Sequence, residues 1–278
     1  MGAGGFQQSG ATGAKGLRKG PMAYGEIKAV LFDLGDTLLE FGPFSTTKAF
    51  LEGARSTYAF LQDHGQPIRC FAWYFLSNLV RLRTRYLIAD LRHQDFDSLE
   101  VLRAVGAKLG VQLSPEQWQQ FAWLWYEPLS RRARIEPGLE ESLACLTRMG
   151  LKLGIVSNTF VNRATLQRQL QLVGLLEFFP VQLYSYEYHV RKPSTELFQI
   201  AADKIAERAQ NILFVGDRID NDVLPALKSG MWAALKEAHT NRGKKLPPGA
   251  VKIRRLAELP VLIEQINASA AQTTSTQP

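Results

Sequence analysis

At 278 residues, 46% of them apolar, the chain is long enough for one large domain or for a domain carrying a substantial insert, and it should be globular. No run of about eighteen uncharged apolar residues occurs, which argues against a membrane-spanning helix and for a soluble protein. The net charge of +7 sits mainly in two acid-free segments, with Lys15, Arg18 and Lys19 in residues 1–25 and Arg242, Lys244, Lys245, Lys252, Arg254 and Arg255 in residues 241–255; the remainder is slightly acidic, which argues against a nucleic-acid-binding face.

In chain order, residues 1–25 are rich in Gly, Ala and polar side chains, lack the apolar core of a secretory signal and hold few arginines for an organelle-targeting peptide, so they read as a disordered leader. Ile27–Phe32 is a short apolar run ending at Asp33-Leu34-Gly35-Asp36-Thr37, the pattern of a buried strand entering a turn. Residues 46–132 then show no strand signal but helical patterns near 46–63, 70–90, 97–109 and 115–128. They form an all-helical insert bounded by two turn-forming stretches, Phe41-Gly42-Pro43 and Ile135-Glu136-Pro137-Gly138. Inside it Phe71, Trp73, Tyr74, Phe75, Trp118, Phe121, Trp123, Trp125 and Tyr126 read as the aromatic core of a small bundle; base stacking would need them exposed beside basic side chains. Cys70 and Cys145 lie in helix-like apolar patterns outside any CxxC arrangement, so buried reduced thiols and a reducing cytoplasm are expected.

Strand patterns at Leu151–Ser157, Pro180–Ser185 and Asn211–Gly216 alternate with helical patterns near 138–149, 162–173 and 194–207. This β-α-β alternation predicts a Rossmann-like α/β core, a parallel sheet covered by helices on both faces with its chemistry at the carboxyl ends of the strands. The core should comprise residues 26–45 and 133–265, and the tail from 266 to 278, poor in core-forming residues, should be disordered.

Four polar clusters fall at predicted strand ends: Asp33-Leu34-Gly35-Asp36-Thr37, Ser157-Asn158, Lys192-Pro193, and Gly216-Asp217-Arg218-Ile219-Asp220-Asn221-Asp222. Singly, each has a plain structural reading: a helix-capping acid, a turn, a solvated lysine, surface acids. In this order, with a cap-sized insert after the first, the chain resembles the haloacid-dehalogenase superfamily over about residues 27–263. The resemblance implies a hydrolase with a helical cap, in which Asp33 is the nucleophile and forms an aspartyl-phosphate while backbone N–H groups hold the transferring group. It further implies that Ser157 and Lys192 are catalytic, Ser157 hydrogen-bonding a phosphate oxygen and Lys192 neutralising nucleophile and phosphate, while Thr37 and Asn158 bind substrate. Asp33, the Gly35 carbonyl, Asp217 and Asp222 would hold Mg²⁺, with Asp217 the direct ligand and Asp222 a second or alternative one. Asp36 reads as the helix-capping acid of the first cluster, and Asp220 reads as a surface acid. The substrate implied is a small phosphorylated metabolite, for whose anionic groups Arg81, Arg83, Arg85, Arg131, Arg132 and Arg134 are candidates.

In most phosphatases of the superfamily the residue two places after the nucleophile is a second Asp, which protonates the leaving alcohol and later activates water. Here it is Gly35, which cannot exchange a proton, and general acid-base catalysis is typically worth about 10²–10⁴ in rate. Three readings follow. One is a Mg²⁺-dependent phosphatase that takes its proton from water or a cap residue, or uses a substrate with a good leaving group. Another is a carbon-halogen or carbon-phosphorus hydrolase, and the third a non-catalytic phosphate-binding or interaction protein. Halide displacement needs no metal-binding acids, and a phosphonatase Schiff base would have to come from Lys48 or Lys108, so the phosphatase reading leads.

Overall fold

A computed structural model of the protein describes residues 25–92 and 94–274, so the expected leader, apart from Gly25, lies outside the described residues. The elements run β1 (Ala29–Phe32), α1 (Thr46–Asp63), α2 (Phe71–Arg92), α3 (Ser98–Leu109), α4 (Pro115–Ser130), α5 (Leu139–Arg148), β2 (Lys152–Ser157), α6 (Arg163–Leu172), β3 (Val181–Tyr184), α7 (Ser185–Tyr188), α8 (Thr195–Ile205), β4 (Ile212–Gly216), α9 (Leu224–Lys228), β5 (Trp232–Lys236), β6 (Ala250–Ile253) and α10 (Leu259–Thr274).

All strand pairings are parallel, in the order β3-β2-β1-β4-β5-β6. β1 is buried at every position because helices cover both faces of the sheet, which is why it reads as an unbroken apolar run. Alternate side chains serve opposite layers. Val30 and Phe32 pack with Leu143, Leu166, Leu170 and Ile263 from α5, α6 and α10, whereas Ala29 and Leu31 pack with Leu197, Phe198, Ala201 and Ala226 from α8 and α9. The sequence reading found four strands, and the structure adds β5 and β6. Ala-rich WAALK has weak intrinsic strand preference; it becomes a strand because it is buried between β4 and β6.

Residues 46–130 contain α1 to α4, with starts that the sequence marks chemically. The Ser45 hydroxyl accepts from the Lys48 N–H, the Asp97 carboxylate from the Leu99 N–H, and Ser114 with Gln117 forms a capping box ahead of Pro115. Ala54, Leu61, Tyr74, Leu102, Val111 and Phe121 are its buried core. The aromatic assignment needs correction in part: Trp123 and Tyr126 belong to the main core beside Leu166 and Leu170, because α4 presents one face to the bundle and another to α6. Trp73 is half-buried with the Arg69 guanidinium 4.8 Å from its ring centroid. The two chain crossings between insert and core are tied to each other by paired backbone bonds between Glu40 and Arg134, at 2.7 and 2.9 Å.

Two further expectations fail. Cys70 is exposed in the connection just before α2, and Cys145 is half-buried, off the buried face of α5. Over the described part of the expected tail the chain does not become irregular at 266: α10 continues to Thr274, with Ile263 and Ile266 buried and Asn267 hydrogen-bonded to the Ile27 backbone N–H (2.8 Å) and carbonyl (3.1 Å), while residues 275–278 lie outside the described residues. Among the described residues no helix is long and apolar enough to cross a membrane.

Candidate active site

The connection order reverses between β1 and β4, and a crevice forms outside the carboxyl ends of strands at such a switch point. β1 delivers Asp33 there, its N–H donating to the Val215 carbonyl at 2.9 Å, while β4 delivers Asp217 and β2 ends on buried Ser157. The turn after Asp33 is tight. Asp36 adopts a left-handed backbone (φ 55°), and its Oδ1 accepts from the Phe41 and Gly42 N–H groups at 3.0 and 3.3 Å; it closes this turn instead of capping a helix, since α1 begins only at Thr46 with Ser45 as its cap. Gly35 is not in the left-handed region. The Thr37 hydroxyl reaches Asp33 Oδ2 (3.4 Å) and Asp217 Oδ1 (3.5 Å), which places it between two carboxylates.

Lys192 closes the group from the loop before α8. Its Nζ lies 2.6 Å from Asp33 Oδ1 and 2.6 Å from Asp222 Oδ1, and its side chain is 2% exposed. Asn158 holds the lysine's backbone from both sides: its Oδ1 accepts from the Lys192 N–H and its Nδ2 donates to the Lys192 carbonyl, each at 2.8 Å. The carboxamide expected beside substrate is thus engaged in fixing Lys192. Asp222 folds back onto the end of β4 because residue 216 is glycine; a Cβ there would sit 2.5 Å from the Asp222 Cβ. The Arg218 N–H then donates to Asp222 Oδ2 at 2.9 Å. Asp220 pairs with Arg218 at the surface, as expected.

Asp33, Asp217 and Asp222 each offer an oxygen, all within 4.8 Å of one another, and all three residues are buried. One lysine faces these three acids, so ionisation of all would leave two negative charges uncompensated in a poorly solvated site. Burial accordingly raises the pKa of Asp33 and Asp217 above the usual carboxylate value and that of Asp222 to about 6, against the opposing pull of Lys192; neighbouring carboxylates push each of them further up. Burial opposes the charge on Lys192, but Asp222 and Asp33 outweigh it and hold the lysine pKa above its ordinary value. An all-oxygen donor set with a surplus of negative charge suits a hard divalent cation, so the residues fit Mg²⁺.

Sequence reasoning missed the residues that brace Asp217. The Thr240 hydroxyl donates to Asp217 Oδ2, and Asn241 Nδ2 donates to the Asp217 carbonyl (2.8 Å) and the Lys236 carbonyl (2.7 Å). Their only advance signal was the short apolar run of β5 preceding them. Lys236, also buried, pairs with Glu40 at 2.5 Å and so ties the end of β5 to the first chain crossing. The candidate anion-binding arginines divide. Arg81, Arg83 and Arg85 are exposed along α2, whereas Arg132 pairs with Glu52 at 3.1 Å and Arg134 donates to the Arg131 and Ala133 carbonyls, each at 3.0 Å.

A sequence model of the haloacid dehalogenase-like hydrolases matches residues 27–230. Among curated proteins, the glyceraldehyde 3-phosphate phosphatase of Methanopyrus kandleri is 26% identical over 205 residues, covering 74% of this chain and 82% of its own. The 5-amino-6-(5-phospho-D-ribitylamino)uracil phosphatase of Escherichia coli is 29% identical over 213 residues, 75% and 83% of the two chains. Among solved structures, a 2-haloacid dehalogenase from Pseudomonas syringae superposes with a TM-score of 0.56 at 23% identity, covering 86% of this chain and 99% of its own; that likeness is one of fold.

Proposed function

We propose that this chain, which belongs to the haloacid dehalogenase-like hydrolase family, is a Mg²⁺-dependent phosphatase of a small phosphorylated metabolite working through an aspartyl-phosphate on Asp33. The observation that carries the reading is the convergence of Asp33, Asp217, Asp222 and Lys192 at the sheet's switch point. The phosphatase activities named for the two curated relatives support the substrate class.

Asp33 attacks the phosphorus atom, the ester P–O bond breaks, and the leaving oxygen departs with the bonding pair. Lys192, held at its backbone by Asn158, offsets the negative charge of nucleophile and phosphate. Ser157, at the end of β2, donates to a phosphate oxygen. Asp33, Asp217, Asp222 and the Gly35 carbonyl would hold Mg²⁺, which when bound supplies charge neutralisation for an anionic nucleophile meeting an anionic substrate. The acylphosphate on Asp33 is then hydrolysed by water.

Gly35 supplies no proton to the leaving oxygen. That favours acyl or aryl phosphates, whose leaving groups need little protonation, over alkyl esters. It also favours, as second reading, a protein that binds phosphate without turning it over. One experiment tests both: a phosphate-release screen over phosphorylated metabolites with Mg²⁺ or a chelator, run on the wild type and Asp33→Asn. Turnover that requires Mg²⁺ and falls by more than about 10⁴ in folded Asp33→Asn is expected. An active Asp33→Asn protein would refute the nucleophile, metal-independent halide release from a 2-haloacid would favour the dehalogenase, and phosphate binding without turnover the binding protein.

A further inference from the structure

Between α2 and α3 the insert lowers residues 94–97 onto the core loops that follow β2 and β3, and its contact there is a buried carboxylate. Asp95 Oδ2 accepts from the Ser185 hydroxyl at the end of β3, and Oδ1 lies 3.4 Å from Arg191 Nη1, which is equally far from the more exposed Asp90 of α2. The Ser185 oxygen in turn accepts from the Thr159 N–H at 2.9 Å. Next to this, the Ser98 N–H donates to the Phe160 carbonyl at 2.9 Å, and Phe96 stacks on Phe160 with ring centroids 5.7 Å apart.

Two chains of contact therefore leave one carboxylate. One passes through Ser185 to Thr159, two residues beyond Ser157; the other passes through Arg191 to Lys192, its neighbour in sequence. They meet again where Asn158 grips the Lys192 backbone. A contact that only glued insert to core would do as well with apolar side chains, because desolvating a charge offsets much of what its pairing gains. A carboxylate with two separately aimed oxygens fixes direction, which apolar packing does not.

We propose that Asp95 is a positioning residue: through it the seated helical insert aligns the Ser157 loop with the Lys192 loop, and so sets the phosphate cradle. The role for phosphate rests on the phosphatase reading; the alignment of the loops does not.

The test is hydrogen exchange by mass spectrometry on the full chain, wild type against Asp95→Ala, with Asp95→Asn as the conservative variant. Exchange at the Ser98, Thr159 and Lys192 amides should rise at least about fivefold in Asp95→Ala while peptides from β4 and α8 stay unchanged. With p-nitrophenyl phosphate and Mg²⁺, kcat should fall about 10- to 100-fold with KM moving less than about threefold, since misplacement harms the reacting geometry more than ground-state binding. Asp95→Asn, which keeps an acceptor for Ser185, should recover part of kcat. Unchanged exchange in both loops, or a uniform rise over the whole chain, would overturn the proposal. Should Asp95→Ala not fold, Arg191→Gln, which cuts the branch to Lys192, read at the Ser98 and Lys192 amides decides on the same criteria. A wild type that hydrolyses no phosphate ester would remove the phosphatase reading, while the exchange comparison would still decide the positioning.

Discussion

A Cβ placed on Gly35 would meet only Cε2 of Phe41, at 3.8 Å, and the backbone there is not left-handed, so a β-carbon fits without strain. The site lacks a proton carrier at this position, and its backbone admits a residue with a β-carbon. If proton transfer to the leaving group limits the rate, Gly35→Asp should speed hydrolysis of alkyl phosphates by about 10²–10⁴ and flatten the dependence on leaving-group pKa that the wild type shows. Steady-state kinetics over a series of alkyl and aryl phosphates checks this; unchanged rates in folded Gly35→Asp would show that the proton comes from elsewhere. The residue itself was legible in the sequence. That it could be replaced was not, because backbone conformation at a turn depends on what the turn packs against, here Asp36 capping Phe41 and Gly42.

The segment from β4 into Ile219–Val223 shows how an element sets chemistry. β4 is apolar throughout and read correctly as a strand, but its last residue matters for the side chain it lacks: Gly216 leaves the space into which Asp222 turns. Gly216→Ala should push the Asp222 carboxylate away from Lys192 and Asp33, weaken Mg²⁺ binding at least about tenfold, and cost about 1–3 kcal/mol by overpacking. Calorimetric titration with Mg²⁺ and denaturant melts measure the two effects, and wild-type metal affinity in the alanine variant would refute the account. β5 escaped notice because Ala-rich strands carry little local signal, and with it went Thr240 and Asn241, the residues that orient Asp217.

At the scale of the whole molecule, the site is a concentration of buried acid in a chain whose net charge is +7. The pKa of Asp222 lies near 6, and those of Asp33 and Asp217 are also above 3.8, because burial disfavours the charged forms. A carboxyl with a raised folded-state pKa holds its proton more tightly in the native state. Its contribution to stability is therefore complete below the unfolded value of 3.8 and is lost as pH rises through about 6. Without metal, the melting temperature should decline from about pH 4.5 to about pH 7, and the decline should shrink in Asp222→Asn. Mg²⁺ at about a hundred times its Kd should return about 2.7 kcal/mol at neutral pH. Scanning calorimetry with chelator or Mg²⁺ measures both, and a melting temperature that climbs with pH in chelator would contradict the charge surplus. By itself the sequence determined the α/β alternation, the helical insert and the four polar clusters, because apolar periodicity, caps and strand-end acids are local properties of a chain. Only the tertiary structure decided that Asn158 grips Lys192, that Thr240 braces Asp217, that Asp95 reaches across from the insert, and that three acids share one lysine. Those contacts join residues far apart in sequence, and no local pattern encodes which distant loops a sheet will bring together.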